Sequence, residues 1–197
     1  MKKIFVTQRV EVIEGYDERR DSLDQNWINL LIESGFLGII IPNNIEYVKL
    51  LLKEHRPDGI LLTGGNNLFK YGGNAPERDI VENYLIKYAI NNNIPLVGVC
   101  RGMQIILDYF NNELIQVKNH VKRVHRVVGR NGFKYVNSYH DFGIKGKLND
   151  FEILYKSDDY VIEEIKHKKY SIYGMMHHPE RNTIFNRADI DFLKKIY

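Results

Sequence analysis

The sequence predicts an α/β fold built on a largely parallel sheet, and three observations predict it. Apolar runs of four or five residues alternate with stretches of helical period through the first half of the chain. Each run ends in glycine or polar residues, the punctuation of buried strands. The 197 residues suffice for a domain with its own core, closed without disulfides or metals.

The elements follow in order. Residues 4–7 form the first apolar run. Leu23, Trp27, Leu30 and Leu31 share a helical face that closes before Gly35. Residues 38–41 read as a second buried strand, residues 45–53 as a weaker helix and residues 59–63 as a third strand. After Pro76, the stripe Ile80, Val81, Tyr84, Leu85 and Tyr88 predicts another helix. Residues 95–99 are the fourth buried strand. Beyond Asn111, β-branched and aromatic segments between glycine turns predict strands around 121–128, 133–138, 151–155 and 170–175. Ile190, Leu193 and Ile196 mark an amphipathic helix over 187–197. No repeat, linker or low-complexity tract divides the chain, so residues 1–197 are expected to form a single domain.

Composition excludes several classes. With 44% hydrophobic and 27% charged residues, disorder is not expected. Lys plus Arg is 28 against 25 acids, a formal charge of +3, and a pI near 8.8 is too mild to announce a nucleic-acid binder. Residues 4–7 are too short an apolar region for a signal peptide, and no stretch approaches membrane-spanning length. The lone Cys100 excludes a disulfide framework and suits a reducing compartment. The expectation is a cytoplasmic protein without a nucleic-acid or membrane partner. Neither metal nor cofactor is expected, because His120 and His125 have no carboxylate at ligand spacing.

The chemistry concentrates in two segments. Residues 95–106 read as a strand, a tight turn at Cys100 and a helix, with Gly98 and Gly102 where a Cβ would clash, the pattern of a nucleophile elbow. At the head of that helix a thiol feels the positive end of the dipole. A thiol nucleophile needs a base and a group to orient it. His178 and Glu180 supply them, with Pro179 stiffening the turn between. A buried core cysteine and a helix-capping Pro-Glu are the plainer readings of each segment alone.

With a Gly-x-Cys-x-Gly elbow and a distal His-Pro-Glu, the chain resembles the class I, or triad, glutamine amidotransferase superfamily. Leu61-Leu62-Thr63-Gly64-Gly65 looks like that family's oxyanion loop. Asn137-Ser138-Tyr139-His140 looks like its segment contacting the glutamine α-amino and α-carboxyl groups. Cys100-Arg101-Gly102-Met103-Gln104 and Arg78-Asp79-Ile80-Val81-Glu82 resemble the branch that hydrolyses γ-glutamyl amides. The resemblance implies a three-layer, flavodoxin-like sandwich. It also implies attack of Cys100 on a γ-glutamyl carbonyl, His178 as base, Glu180 as its orienter, and backbone N–H groups of Gly65 and Arg101 as oxyanion donors. Gly64, Gln104 and residues 137–140 are expected to bind substrate.

The leaving group is read from charge. Arg9, at the end of the first strand, and Arg19 and Arg20, before the next helix, lie where open α/β sheets bind ligands, and arginine suits phosphate. Between residues 118 and 134 run six further cations without an acid. These features, the compact length and the ending His178-Pro179-Glu180-Arg181 resemble a narrower group, the γ-glutamyl-CDP-amidate hydrolases of capsule phosphoramidate synthesis. The expected partner is a small, nucleotide-linked γ-glutamyl substrate. Alternatives are γ-glutamyl-γ-aminobutyrate or folate-polyglutamate hydrolysis, a glutaminase component of a heteromeric amidotransferase, and a polyanion-binding protein on the same fold. His177 stands where the broader hydrolase branch commonly has Trp, Phe or Gln.

Overall fold

The computed structural model describes residues 1–130 and 132–197. Strand β1 (Lys2–Val6) leads into a hairpin of β2 (Arg9–Ile13) and β3 (Glu18–Ser22). Then come α1 (Asn26–Glu33), β4 (Phe36–Ile40), α2 (Ile45–Glu54), β5 (Gly59–Leu62), α3 (Pro76–Asn92), β6 (Leu96–Val99) and α4 (Arg101–Tyr109). The second half holds β7 (Ile115–Gln116), β8 (Val121–Gly129), β9 (Gly132–Tyr139), β10 (Phe142–Gly143), β11 (Phe151–Ser157), β12 (Ile162–His167), β13 (Ile172–Met175) and α5 (Arg187–Ile196).

Nine strands form one sheet in the order β4-β1-β5-β6-β13-β12-β11-β8-β9. The five from β4 to β13 are parallel, and antiparallel strands extend the sheet beyond β13. Side chains alternate between the faces of each strand. Phe5, Ile60, Leu62 and Leu96 pack under α2, α3 and α4 through Val48, Val81, Leu85 and Ile106. Ile4, Val6, Leu61, Val97 and Val99 pack under α1 and α5 through Trp27, Leu30, Ile190 and Leu193. The three layers expected of an α/β sandwich are these, and the mostly parallel sheet is their middle.

Local chemistry places the helix starts. The Asn44 side chain accepts from Tyr47 N at 3.0 Å and Asn186 from Ala188 N at 2.9 Å, capping α2 and α5. Pro76 opens α3, where its missing N–H has no helical partner to lose.

Besides the two-residue β7 and β10, which the sequence reading lacks, four strands differ from it. Residues 38–41 are not a buried strand: β4 is the sheet edge, with Phe36 and the adjoining Ile41 buried and the positions between them partly open. The β2–β3 hairpin replaces the expected ligand loop, and the consecutive charges of Glu18-Arg19-Arg20-Asp21 leave β3 without an apolar period to mark it. Strand β12 is absent from the sequence reading, since Ile-Glu-Glu-Ile-Lys-His has the character of a polar segment. Five of its six residues are buried, with Lys134 against Glu164 and His120 against Glu163.

Candidate functional site

Backbone geometry makes Cys100 conspicuous. It joins β6 to α4 with φ +52° and ψ −106°, a region costly for a residue with a Cβ. Its N–H donates to Met175 O at 2.7 Å, tying the turn to β13. The flanking glycines are required by contact: a Cβ on Gly98 would stand 2.3 Å from Gly102 O, and one on Gly102 would stand 2.1 Å from Leu62 O.

Strand β13 delivers the partners. His178 Nδ1 lies 2.6 Å from Glu180 Oε1, with both side chains buried. The carboxylate can only accept, so it holds the proton on Nδ1. That leaves Nε2 with no hydrogen-bond partner among the described residues. Burial opposes charge on His178, but the Cys100 sulfur and Glu180 together outweigh it, raising the imidazole to about 9. A Cβ on Gly64 would sit 2.6 Å from His178 Cε1, 3.4 Å from Nε2 and 3.5 Å from Cys100 Cβ, so sulfur and imidazole share one small space over this glycine.

Two supports hold these groups in place. The Asn137 amide spans His178, donating to its O and accepting from its N, each at 2.8 Å. Arg78, wholly buried, holds the loop after β5 by donating to Thr63 O at 2.6 Å, Gly64 O at 3.1 Å and Gly65 O at 2.5 Å. Glu82 accepts from Arg78 at 2.9 Å and also from Arg101, which reaches Asp79 as well. Burial, and then Arg101, lower the Arg78 guanidinium to about 10. The Arg78–Glu82 segment is therefore a brace between α3, α4 and the Gly64–Gly65 loop. Arg101 contributes its side chain to that brace.

Above Cys100 opens a cleft of 370 Å³ lined by Gly65, Gln104, Tyr139, His140, His178 and Arg181, among others. That volume suits a small ligand. The structure thus gathers Gly64, Gly65, Gln104, Tyr139 and His140 around the thiol, but it engages two expected substrate contacts elsewhere. Asn137 bonds His178, and the buried Ser138 hydroxyl donates to His120 O at 2.6 Å. Gln104 donates to Phe142 O at 3.0 Å. Arg9 lies against Gly65. Arg19 is paired with Glu77 and Asn74 O at the start of α3, and Arg20 with Glu18 on its own strand, so neither lines the cleft. Arg126, Arg130 and Lys134 of the basic run pair with Asp158, Glu152 and Glu164 and are likewise absent from it. His177 turns away from the cleft, toward Asp189 at 3.2 Å and Glu164 at 3.4 Å.

One cation that the sequence reading leaves unassigned is Arg181, whose guanidinium lies 4.1 Å from the Tyr139 ring centre at the cleft wall. Its place directly after Glu180 is the available signal. A second surprise lies behind His140. Glu163, far from the histidines in sequence, stands among His120, His125 and His140 once β8 and β12 fold into one sheet.

A family model described as glutamine amidotransferase class-I matches residues 17–194. The chain belongs to that family. It is 33% identical over 194 residues to a protein of Campylobacter jejuni named gamma-glutamyl-CDP-amidate hydrolase, covering 95% of this chain and 94% of that one. It is 30% identical over 150 residues to a glutamine-hydrolyzing GMP synthase subunit of Methanosphaera stadtmanae, covering 72% and 74%. A solved structure from Thermoplasma acidophilum, described as a GMP synthase subunit, superposes with a TM-score of 0.74 over all of this chain and 92% of its own, at 21% identity. That likeness speaks for the fold of this family member alone. No helix among the described residues is long and apolar enough to cross a membrane.

Proposed function

We propose that the protein is a cysteine-dependent γ-glutamyl hydrolase acting on γ-glutamyl-CDP-amidate. The observation behind the chemistry is the pairing of Cys100, at φ +52° on its elbow, with a His178 whose far nitrogen is held by Glu180. Cys100 Sγ attacks the γ-glutamyl carbonyl with its proton held on His178 Nε2, as the imidazole raised to about 9 allows. The carbonyl oxygen gains charge between the backbone N–H groups of Gly65 and Arg101, a kind of contact worth roughly a hundredfold or more in rate. The C–N bond breaks as His178 returns the proton to nitrogen, leaving a γ-glutamyl thioester. Water, deprotonated by His178, then cleaves the thioester, releasing glutamate and restoring the thiol.

The leaving group is supported by the hydrolase-named relative and by an arginine at the cleft. Arg181 at the cleft wall suits a pyrophosphate, to which arginine bonds bidentately, while Arg9, beside Gly65, is paired with Glu11 at 2.6 Å. The products are glutamate and cytidine diphosphoramidate, a step of capsule phosphoramidate synthesis. The match to a GMP synthase subunit favours a second reading, a glutaminase that hands ammonia to a separate synthase chain.

One comparison tests both readings: glutamate release from γ-glutamyl-CDP-amidate, glutamine and γ-glutamyl-γ-aminobutyrate, with Cys100→Ala as the blank. A kcat/KM larger by orders of magnitude for the nucleotide, lost in the blank, is expected. Equal or faster turnover of glutamine overturns the nucleotide assignment, and release undiminished in Cys100→Ala overturns the chemistry.

A further inference from the structure

Behind the cleft, His120 ahead of β8, His125 within it, His140 after β9 and Glu163 on β12 meet in the interior. Glu163 Oε1 lies 3.3 Å from His120 Nδ1, 3.5 Å from His125 Nε2 and 3.6 Å from His140 Nε2. These three nitrogens and both Glu163 oxygens are buried without a hydrogen-bond partner among the described residues. The 3.3 Å contact is within reach of a hydrogen bond, yet the ring N–H direction misses the oxygen.

The outer nitrogens explain this arrangement. His140 Nδ1 stands 2.9 Å from Phe142 O and His120 Nε2 stands 3.2 Å from Asp159 Oδ1. Both partners only accept, so each of these two rings carries a proton outward and, in its neutral form, turns a lone pair inward. Neutral rings so turned face the buried carboxylate lone pair to lone pair, a repulsion that a second ring proton or a metal ion between them relieves. Imidazoles tied outward to a carbonyl and a carboxylate are the support that metal-binding histidines use. The spacings to Glu163 agree, since ligands on a tetrahedron with bonds of about 2.0–2.1 Å stand roughly 3.3 Å apart, and the donor atoms of His120, His125 and Glu163 all lie within 4.8 Å of one another.

We propose that His120, His125, His140 and Glu163 bind one divalent transition-metal ion, with zinc the best match to three imidazoles and a carboxylate. Four protein ligands leave no place for water, so the ion is structural. It fastens β8 and the end of β9 to β12, across the intervening β11. That edge bears Asn137, which holds His178, and His140, which lines the cleft. The site has no sequence signature because Glu163 is 38 positions beyond His125 in the numbering.

The purified full-length chain, loaded with zinc and desalted, should retain one metal per chain by mass spectrometry. Stripped with a chelator and given cobalt, it should show the intense visible bands of a tetrahedral site, displaced by zinc. Zinc at a hundredfold excess over its Kd should raise Tm by about 5–10 °C. His125→Gln and Glu163→Gln should weaken zinc binding at least tenfold, and Cys100→Ala should leave it unchanged. His125 is the most open of the four side chains, so its variant is the milder for folding. The cobalt spectrum of the unaltered chain needs no variant. Failure to retain zinc or to colour with cobalt overturns the proposal. Retention unchanged in His125→Gln, or lost in Cys100→Ala, also overturns it.

Discussion

The Asn137 side chain forms two hydrogen bonds to one residue, receiving the His178 N–H and donating to the His178 carbonyl, so β9 sets the position of an imidazole that belongs to the end of β13. The clamp acts on backbone and leaves the ring free to move a proton. Asn137→Asp keeps the acceptor and sets oxygen against oxygen at the other contact. Its kcat should fall roughly ten- to a hundredfold with KM little altered, since sub-ångström misplacement of a reacting group acts on kcat. A change in KM alone would mean that Asn137 contacts substrate.

Cys100 is the largest influence raising His178, so Cys100→Ala should bring the imidazole pKa down from about 9. Histidine-selective NMR titration reads it directly. A raised folded value also links to stability with a definite sign. The charged ring's contribution is complete below about pH 6.5 and is lost as pH climbs through about 9. The Tm advantage of the parent over Cys100→Ala should shrink across that window. A constant difference from pH 6 to 10 would contradict the coupling.

Arg78 and Glu82 have no exposed side-chain surface, and removing one charge strands the other. Arg78→Met should destabilise the fold by about 3–5 kcal/mol in urea titration. Arg101 still partners Glu82, which places the expected value toward the lower end. The same change frees Thr63 O, Gly64 O and Gly65 O, so residual folded protein should lose activity beyond its folded fraction.

Gly102→Ala drives a methyl group to 2.1 Å from the Leu62 carbonyl, a contact backbone alone can relieve. A penalty of about 1–3 kcal/mol or more is expected, read as a lower Tm with lost turnover. Unchanged melting would show that α4 can slide relative to β5.

The parallel half of the sheet and the segments holding Cys100, His178 and Glu180 are legible because each is encoded locally: buried runs by period, the elbow by glycine spacing, the base by its proline turn. What escapes is long-range. Strand β12 looks polar because its acids are buried only by residues far off in sequence, Glu163 against His120 and His125 and Glu164 against Lys134 of β9. Arg19 and Arg20 read as ligand contacts, since nothing local reveals that Glu77 and Glu18 take them. Asn137 reads as a substrate contact, because its bond to His178 spans 41 positions.

The elbow's positive φ has a thermodynamic corollary. At φ +52° and ψ −106° any side chain is strained by about 1–3 kcal/mol, and glycine is nearly exempt. Cys100→Gly should therefore unfold at a higher denaturant concentration than Cys100→Ala, though it buries less apolar surface and turns over nothing. The thiol is held on a backbone conformation that glycine alone would adopt without strain.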